Sequence, residues 1–198
     1  MSFQKSVLTV AMILASLSFT TQVHAAETKA VDNSKIFEAI DSGNNKVLQK
    51  IKDYSILNDQ QQTLLMVAVN VGRTDLVKML LTKKIDINAK DADQKTAMYY
   101  ALTGENSSIA LLLIDKNAEL TNIDGNDSTA LQVAASVNAN DVMKKVLEKN
   151  PKLINKADKY GTTPLMEAGA HGSVKTTEIL LKAGANKNQK DKEGKTAL

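Results

Sequence analysis

Covalent catalysis needs a nucleophile with a base beside it, and this sequence offers little of either. Its 198 residues contain no cysteine and two histidines, His24 and His171. Carboxylates could still work in pairs, as they do in acid–base hydrolysis. No pair of acids, however, has a spacing that the internal repetition of the sequence leaves unexplained. Asp124-Gly125-Asn126-Asp127 looks in part like a calcium loop, but the glutamate such a loop places late is missing. With His171 alone beyond the N-terminal segment, a His/Cys zinc site has no ligand set; an all-carboxylate cation site stays open. Met66, Met79, Met98, Met143 and Met166 recur at apolar positions and read as core rather than as a copper or haem box. The expectation is a chain with no catalytic residues, no cofactor and no metal, with a carboxylate-based hydrolase as the rival.

The elements that would position any site are short. Asp158-Lys159-Tyr160-Gly161 is a turn signal whose glycine can take positive φ at no steric cost. Thr163 follows as an N-cap and Pro164 as the first residue of a helix that runs to about Ala170. His171-Gly172-Ser173 breaks it, a second helix spans about Val174–Lys182 around Ile179, Leu180 and Leu181, and Gly184 ends that one. Neither helix is long enough to be stable alone.

The neighbours they need are in the sequence. Thr, then a small or apolar residue, then Leu or Met recurs at Thr63, Thr96, Thr129, Thr163 and Thr196, at intervals of 33, 33, 34 and 33 residues. Five residues after each of the first four stand Ala68, Ala101, Ala134 and Ala168. Apolar doublets repeat beyond them: Leu76-Val77 with Leu80-Leu81, Ile109-Ala110 with Leu113-Ile114, Val142-Met143 with Val146-Leu147. Residues i, i+1, i+4 and i+5 form one stripe, so each second helix has one side to bury. A 33-residue period with this grammar resembles the ankyrin repeat. The resemblance implies an all-α solenoid of stacked helix-turn-helix units with projecting hairpin turns.

Departures from the family pattern carry expectations of their own. The histidine that usually follows Thr-x-Leu is replaced by Met66, Tyr99, Gln132 and Met166. Gln132 can close a capping box with Thr129, whereas Met and Tyr cannot do so in the same way. Gln61, Gln94 and Asp127 stand where Gly161 and Gly194 serve other turns, which predicts looser hairpins in the first units. Residues 35–57 form an N-terminal cap repeat, with full units at 58–90, 91–123, 124–157 and 158–190. A partial unit at 191–198 stops after its turn, so the sequence reads as a fragment, or a partner covers that end. Leu180 and Leu181 should then be less covered than their equivalents.

Residues 1–25 have the three regions of a secretory signal: Lys5, an apolar stretch from Val7 to Phe19, and Val23-His24-Ala25 before a cleavage point. Thirteen apolar residues are too few to span a bilayer. A polar linker, 26–34, follows. Removing the leader takes away Lys5 and no acid, so the net charge falls from +3 to +2. That balance, with Arg73 the single arginine, argues against a nucleic-acid surface. The mature chain is expected to be a monomer, in the periplasm or secreted, with no membrane insertion.

What remains for function is a surface. The resemblance implies a groove lined by hairpin tips and first helices that binds another protein. The matching positions are Asp59, Gln60 and Gln62; Asp93 and Lys95; Asn126 and Ser128; Lys159, Tyr160 and Thr162; and His171 at a first-helix end. Tyr160 is the expected hot spot, an aromatic at a tip where folding needs none. Tyr99 and Tyr100 are lesser candidates. The function expected first is a non-catalytic adaptor that supports or protects an envelope protein. The alternative is an immunity protein that neutralises a toxin.

Overall fold

A computed structural model describes residues 33–48 and 50–197. The expected leader and most of the linker lie outside the described residues. The chain divides into two compact units, Met1–Ile51 and Lys52–Leu198. In the first, helical residues 33–42 (α1) turn through Gly43, at φ +72°, into α2, Asn45–Leu48. Residues 33 and 34, expected in the linker, are already helical. Phe37, Ala39, Ile40, Leu48 and Ile51 are buried.

The second unit contains four helix pairs. They are α3 Leu64–Asn70 with α4 Thr74–Leu80, α5 Ala97–Thr103 with α6 Ser107–Asp115, α7 Ala130–Ser136 with α8 Asn140–Lys149, and α9 Pro164–Ala170 with α10 Val174–Lys182. Each first helix packs on its partner, and successive first helices pack on one another, α3 on α5, α5 on α7 and α7 on α9. A 3-10 turn, Pro151–Asn155, follows α8 at the point where the third unit carries its extra residue. No strand forms among the described residues, and one isolated bridge pairs Leu57 with Thr63. No helix of the described residues is long and apolar enough to cross a membrane.

The doublets supply the core. Leu76, Val77 and Leu80, then Ile109, Ala110, Leu113 and Ile114, then Val142, Met143 and Val146 are all buried. Met66, Met98, Met143 and Met166 are buried among them, and Met79 is half-buried. At the end of the stack the expectation divides. Leu180 is fully buried, contrary to its reading as less covered, while Leu181 is 43% exposed.

Threonine caps the first helix of each of the four pairs. Thr63, Thr96, Thr129 and Thr163 each accept a bond from the backbone N–H three residues on. Methionine also completes the box, though not in the same way as glutamine. Met66 Sδ accepts from Thr63 N–H at 3.4 Å and Met166 Sδ from Thr163 N–H at 3.3 Å, a weaker version of the Gln132 Oε1 bond to Thr129 N–H at 2.9 Å. Tyr99 has no such acceptor, and Thr96 N–H instead donates to the carbonyl of Ile123 at 3.0 Å.

The hairpins are also more alike than the sequence implies. Asn58, Asp91, Asp124, Asp158 and Asp191 each use Oδ1 to accept two backbone N–H groups, two and four residues on, at 2.8–3.0 Å. Gln61, Gln94 and Asp127 take φ of 60°, 63° and 60°, beside 85° at Gly161. The early hairpins are therefore not looser in their bonding. Their missing glycine is a cost in backbone strain, about 1–2 kcal/mol per position.

Gln132, 2% exposed, also donates Nε2 to the carbonyl of Thr162 at 2.7 Å and so joins two units. Gln132→Leu would leave the N–H of fully buried Thr129 without its acceptor. We expect a loss of about 1–3 kcal/mol in urea unfolding, with an unchanged helical spectrum.

Candidate functional site

Backbone bonds set the hairpin tips side by side. Ala92 N–H donates to the carbonyl of Gln60 at 3.2 Å, Lys159 N–H to Asn126 at 3.0 Å, and Lys192 N–H to Tyr160 at 3.0 Å. Asp59, Gln60, Asp93, Asn126, Lys159 and Tyr160 are exposed along this row, as is His171 at the end of α9. Gln62, Lys95 and Thr162 are half-buried. Ser128 is a correction. It is 8% exposed, and its N–H and carbonyl serve the hairpin, so its side chain is not offered to a partner.

Tyr160, 55% exposed, is the most accessible aromatic of the row. Lys159 Nζ lies 5.1 Å from the centre of its ring and donates to the carbonyl of Gly125 at 2.9 Å. The tip is thereby held against the preceding hairpin, and an ordered aromatic loses less side-chain entropy on binding than a free one. Lys95 is bound by Asp93 at 3.1 Å and sits 5.5 Å from the ring centre of Tyr99. The Asp93 carboxylate holds the Lys95 ammonium above its usual range.

Tyr100 has a different task from the one the sequence suggests. Its hydroxyl donates to Asp91 Oδ2 at 2.5 Å and accepts from Gln62 Nε2 at 2.9 Å. Gln62 Oε1 in turn accepts from Asn58 Nδ2 at 3.0 Å. Tyr100 and Gln62 therefore lock the first hairpin to the second. Burial, followed by the bond to Asp91, raises the Tyr100 pKa.

The sequence reading passed over Glu167. It occupies in α9 the place that Val67, Tyr100 and Val133 hold in the earlier units, a register that the 33- and 34-residue intervals could have marked. Its side chain is 27% exposed, and His171 Nδ1 lies 3.7 Å from Oε2. His171 is engaged more closely with the Glu167 backbone carbonyl, at 2.9 Å. Burial raises the Glu167 pKa, the nearby His171 lowers it, and Asp158 raises it. A raised acid near a second acid is the feature that would favour hydrolysis. Asp158, however, has its Oδ1 in the hairpin turn like every counterpart. Asp124, the first residue of the calcium-like stretch, likewise has Oδ1 in its own turn. Among the described residues no group of three or more His, Asp or Glu side chains could hold a metal.

The family model for ankyrin repeats (three copies) matches residues 36–124 and 117–191. The chain belongs to the ankyrin-repeat family. Solved structures similar to it number 520 chains, so the fold alone selects no function. One of them is more specific: the structure of the Bd0816 predatory endopeptidase from Bdellovibrio bacteriovorus in complex with immunity protein Bd3460. The immunity protein aligns with 82% of this chain and 87% of its own at a TM-score of 0.74 and 31% identity. Among curated proteins none matches this sequence.

The raised Glu167 pKa has a defined sign. The folded chain binds this proton more readily than the unfolded one, so stability falls as pH rises from the ordinary value of 4.5 through the raised one. The first turn of α9 offsets part of this cost through its dipole. Glu167→Gln should therefore raise Tm at pH 7 by a few degrees at most, since about 1 kcal/mol moves Tm by roughly 2–4 °C in a chain of this size. The difference should shrink as pH falls through the raised value and be gone below about 4.5, where both states hold the proton. Thermal unfolding of both proteins across pH 3–8 measures it.

Proposed function

We propose that this chain is a non-catalytic immunity protein that binds and silences an endopeptidase acting in the cell envelope. The observation that carries this is the 31% likeness to immunity protein Bd3460 over 82% of the chain, in a structure that also holds the endopeptidase. It supports the immunity alternative over the supportive adaptor expected first from the sequence. The signal-like residues 1–25 fit it as well, because a neutraliser must be exported to the compartment where its enzyme is active.

The binding face we assign is the row of hairpin tips with the first-helix ends, centred on Tyr160 and Lys159. The outer faces of the second helices are the alternative surface. The row is ordered by bonds between hairpins, and it exposes one large aromatic beside a lysine. That combination suits an anchor residue, which needs rigidity and apolar area together.

The test is to capture the native partner with the leaderless chain and assay the complex. The expected partner is an envelope endopeptidase whose activity falls to background at one equivalent. A partner that stays fully active in the complex would restore the adaptor reading, and hydrolysis by the chain itself would restore the hydrolase. Tyr160→Ala with Lys159→Glu should weaken capture by about thirtyfold, the scale of a hot spot worth about 2 kcal/mol. Undiminished capture by that variant, with loss on changing the second helices, would move the site to the other face.

A further inference from the structure

Along the sequence, lysines and acids are interspersed, but the fold sorts them. Each second helix is followed by a loop that returns the chain to the next hairpin: residues 81–90, 116–123, 150–157 and 183–190. Together the four loops contain eight lysines and two acids, Asp86 and Glu119. The remainder of residues 33–198 holds 15 basic and 18 acidic side chains. A nearly balanced chain thus gathers an excess of six positive charges in four short segments.

The loops lie side by side. Glu119 N–H in the second donates to Asn88 Oδ1 in the first at 2.9 Å. Asn155 in the third accepts from the fourth twice, the Asn186 N–H at Oδ1 at 2.7 Å and Gln189 Nε2 at its carbonyl at 3.4 Å. All eight lysines are exposed, and among the described residues none of them forms an ion pair. The acids at the adjoining helix ends, Asp115 and Glu148, are both engaged by Lys145, at 3.5 and 3.7 Å. A lysine in a last helical turn, such as Lys149 or Lys182, offsets the helix dipole. Those of the loops, Lys116 excepted, lie beyond that turn and have no such task.

We propose that this lysine edge is a docking surface for an anionic lipid bilayer, which it holds by electrostatic attraction to the headgroups. The chemistry of the edge selects that occupant. Lysine ammonium groups are point charges that suit a diffuse array of phosphates, whereas the carboxylates of a protein are met best by the fork of an arginine. The one arginine of the sequence, Arg73, lies elsewhere and is bound to Asp75 at 2.9 Å. No large apolar side chain is exposed in the four loops, so a protein partner finds no anchor there. A lipid surface needs none, since lysines held near it add their attractions. No lysine of the edge belongs to the tip row, and the inference is independent of the partner proposed above.

Sedimentation with vesicles tests it. The chain from residue 26 onward is used, because the apolar stretch of the expected leader would enter lipid by itself. We expect it to sediment with vesicles of phosphatidylglycerol and phosphatidylcholine, not with phosphatidylcholine alone, and to be released by high salt. Lys152→Gln, Lys156→Gln, Lys187→Gln and Lys190→Gln together should weaken this binding by about tenfold or more, with an unchanged helical spectrum. Lys35→Gln, Lys46→Gln, Lys144→Gln and Lys175→Gln, exposed on the helices and equal in charge removed, should leave binding within about twofold of the parent. No sedimentation with the mixed vesicles, equal binding to phosphatidylcholine alone, or an equal loss in the two variants would overturn the proposal. Tighter binding of soluble poly-glutamate than of the mixed vesicles at the same salt would overturn it too, and assign the edge to an acidic protein segment.

Discussion

A seven-residue helix does not hold itself together in water, and the first helices of the four full units, α3, α5, α7 and α9, are each seven residues long. The architecture answers that one constraint. Nucleation is too costly to be recovered in two turns, so each helix exists only because its neighbours bury it. Ala68, Ala101, Ala134 and Ala168, all fully buried, place one small residue of each of these first helices inside the stack. The apolar doublets of the second helices then close each pair from behind. Stability is thus a property of adjacency, and no unit has a core of its own.

Burial alone would leave such short helices with most of their terminal N–H groups unpaired. The threonine caps and aspartate turns deal with that within each unit, and they are nearly invariant along the chain. Backbone bonds between hairpin tips recur, but side-chain bonds between units differ in kind: a phenol and an amide at Tyr100 and Gln62 between the first two units, an amide to a carbonyl at Gln132 and Thr162 between the last two. At Thr176 a buried hydroxyl lies 3.0 and 3.1 Å from Asn138 and Asn140. A solenoid whose junctions were identical could slip by one unit and keep its contacts. Junctions that differ oppose such a slip, because each polar group is buried at the one place where its partner waits.

This division sets how much was legible beforehand. Period, caps, helix limits and the buried doublets depend on residues within one unit, and a linear pattern carries them. The corrections lie where a side chain's fate is decided some thirty residues away. Ser128 occupies the same register as Lys95, but Lys95 has a stem long enough to carry its ammonium out to Asp93, whereas a serine hydroxyl stays where the backbone puts it. Tyr100 looked like surface because its partner Gln62 belongs to the preceding hairpin. Leu180 looked uncovered because the stack's end was judged by unit, although its position keeps it inward while Leu181 turns out. Met66 and Met166 were judged by the usual chemistry of methionine, and in a dry site even a thioether is used as an acceptor.

The same reasoning bears on the tip row proposed as the binding face. Positions that the stack needs are filled with residues it can satisfy, and three of the four equivalent first-helix positions conform: Val67, Tyr100 and Val133. A tyrosine left 55% exposed at a tip contributes little to the stack. Glu167, its side chain 27% exposed with His171 Nδ1 3.7 Å away, is a half-wet carboxylate that the stack tolerates. Each on its own has a bland account, since single exposed aromatics are common. What favours the tip is that its exposed tyrosine is also ordered, by Lys159 over the ring and by the bond from Lys159 to the preceding hairpin. That combination supports the proposed binding role. Asp158, at the start of the same hairpin, has Oδ1 bonded to two backbone N–H groups as its counterparts in the other hairpins do, so the turn already accounts for its place in the unit.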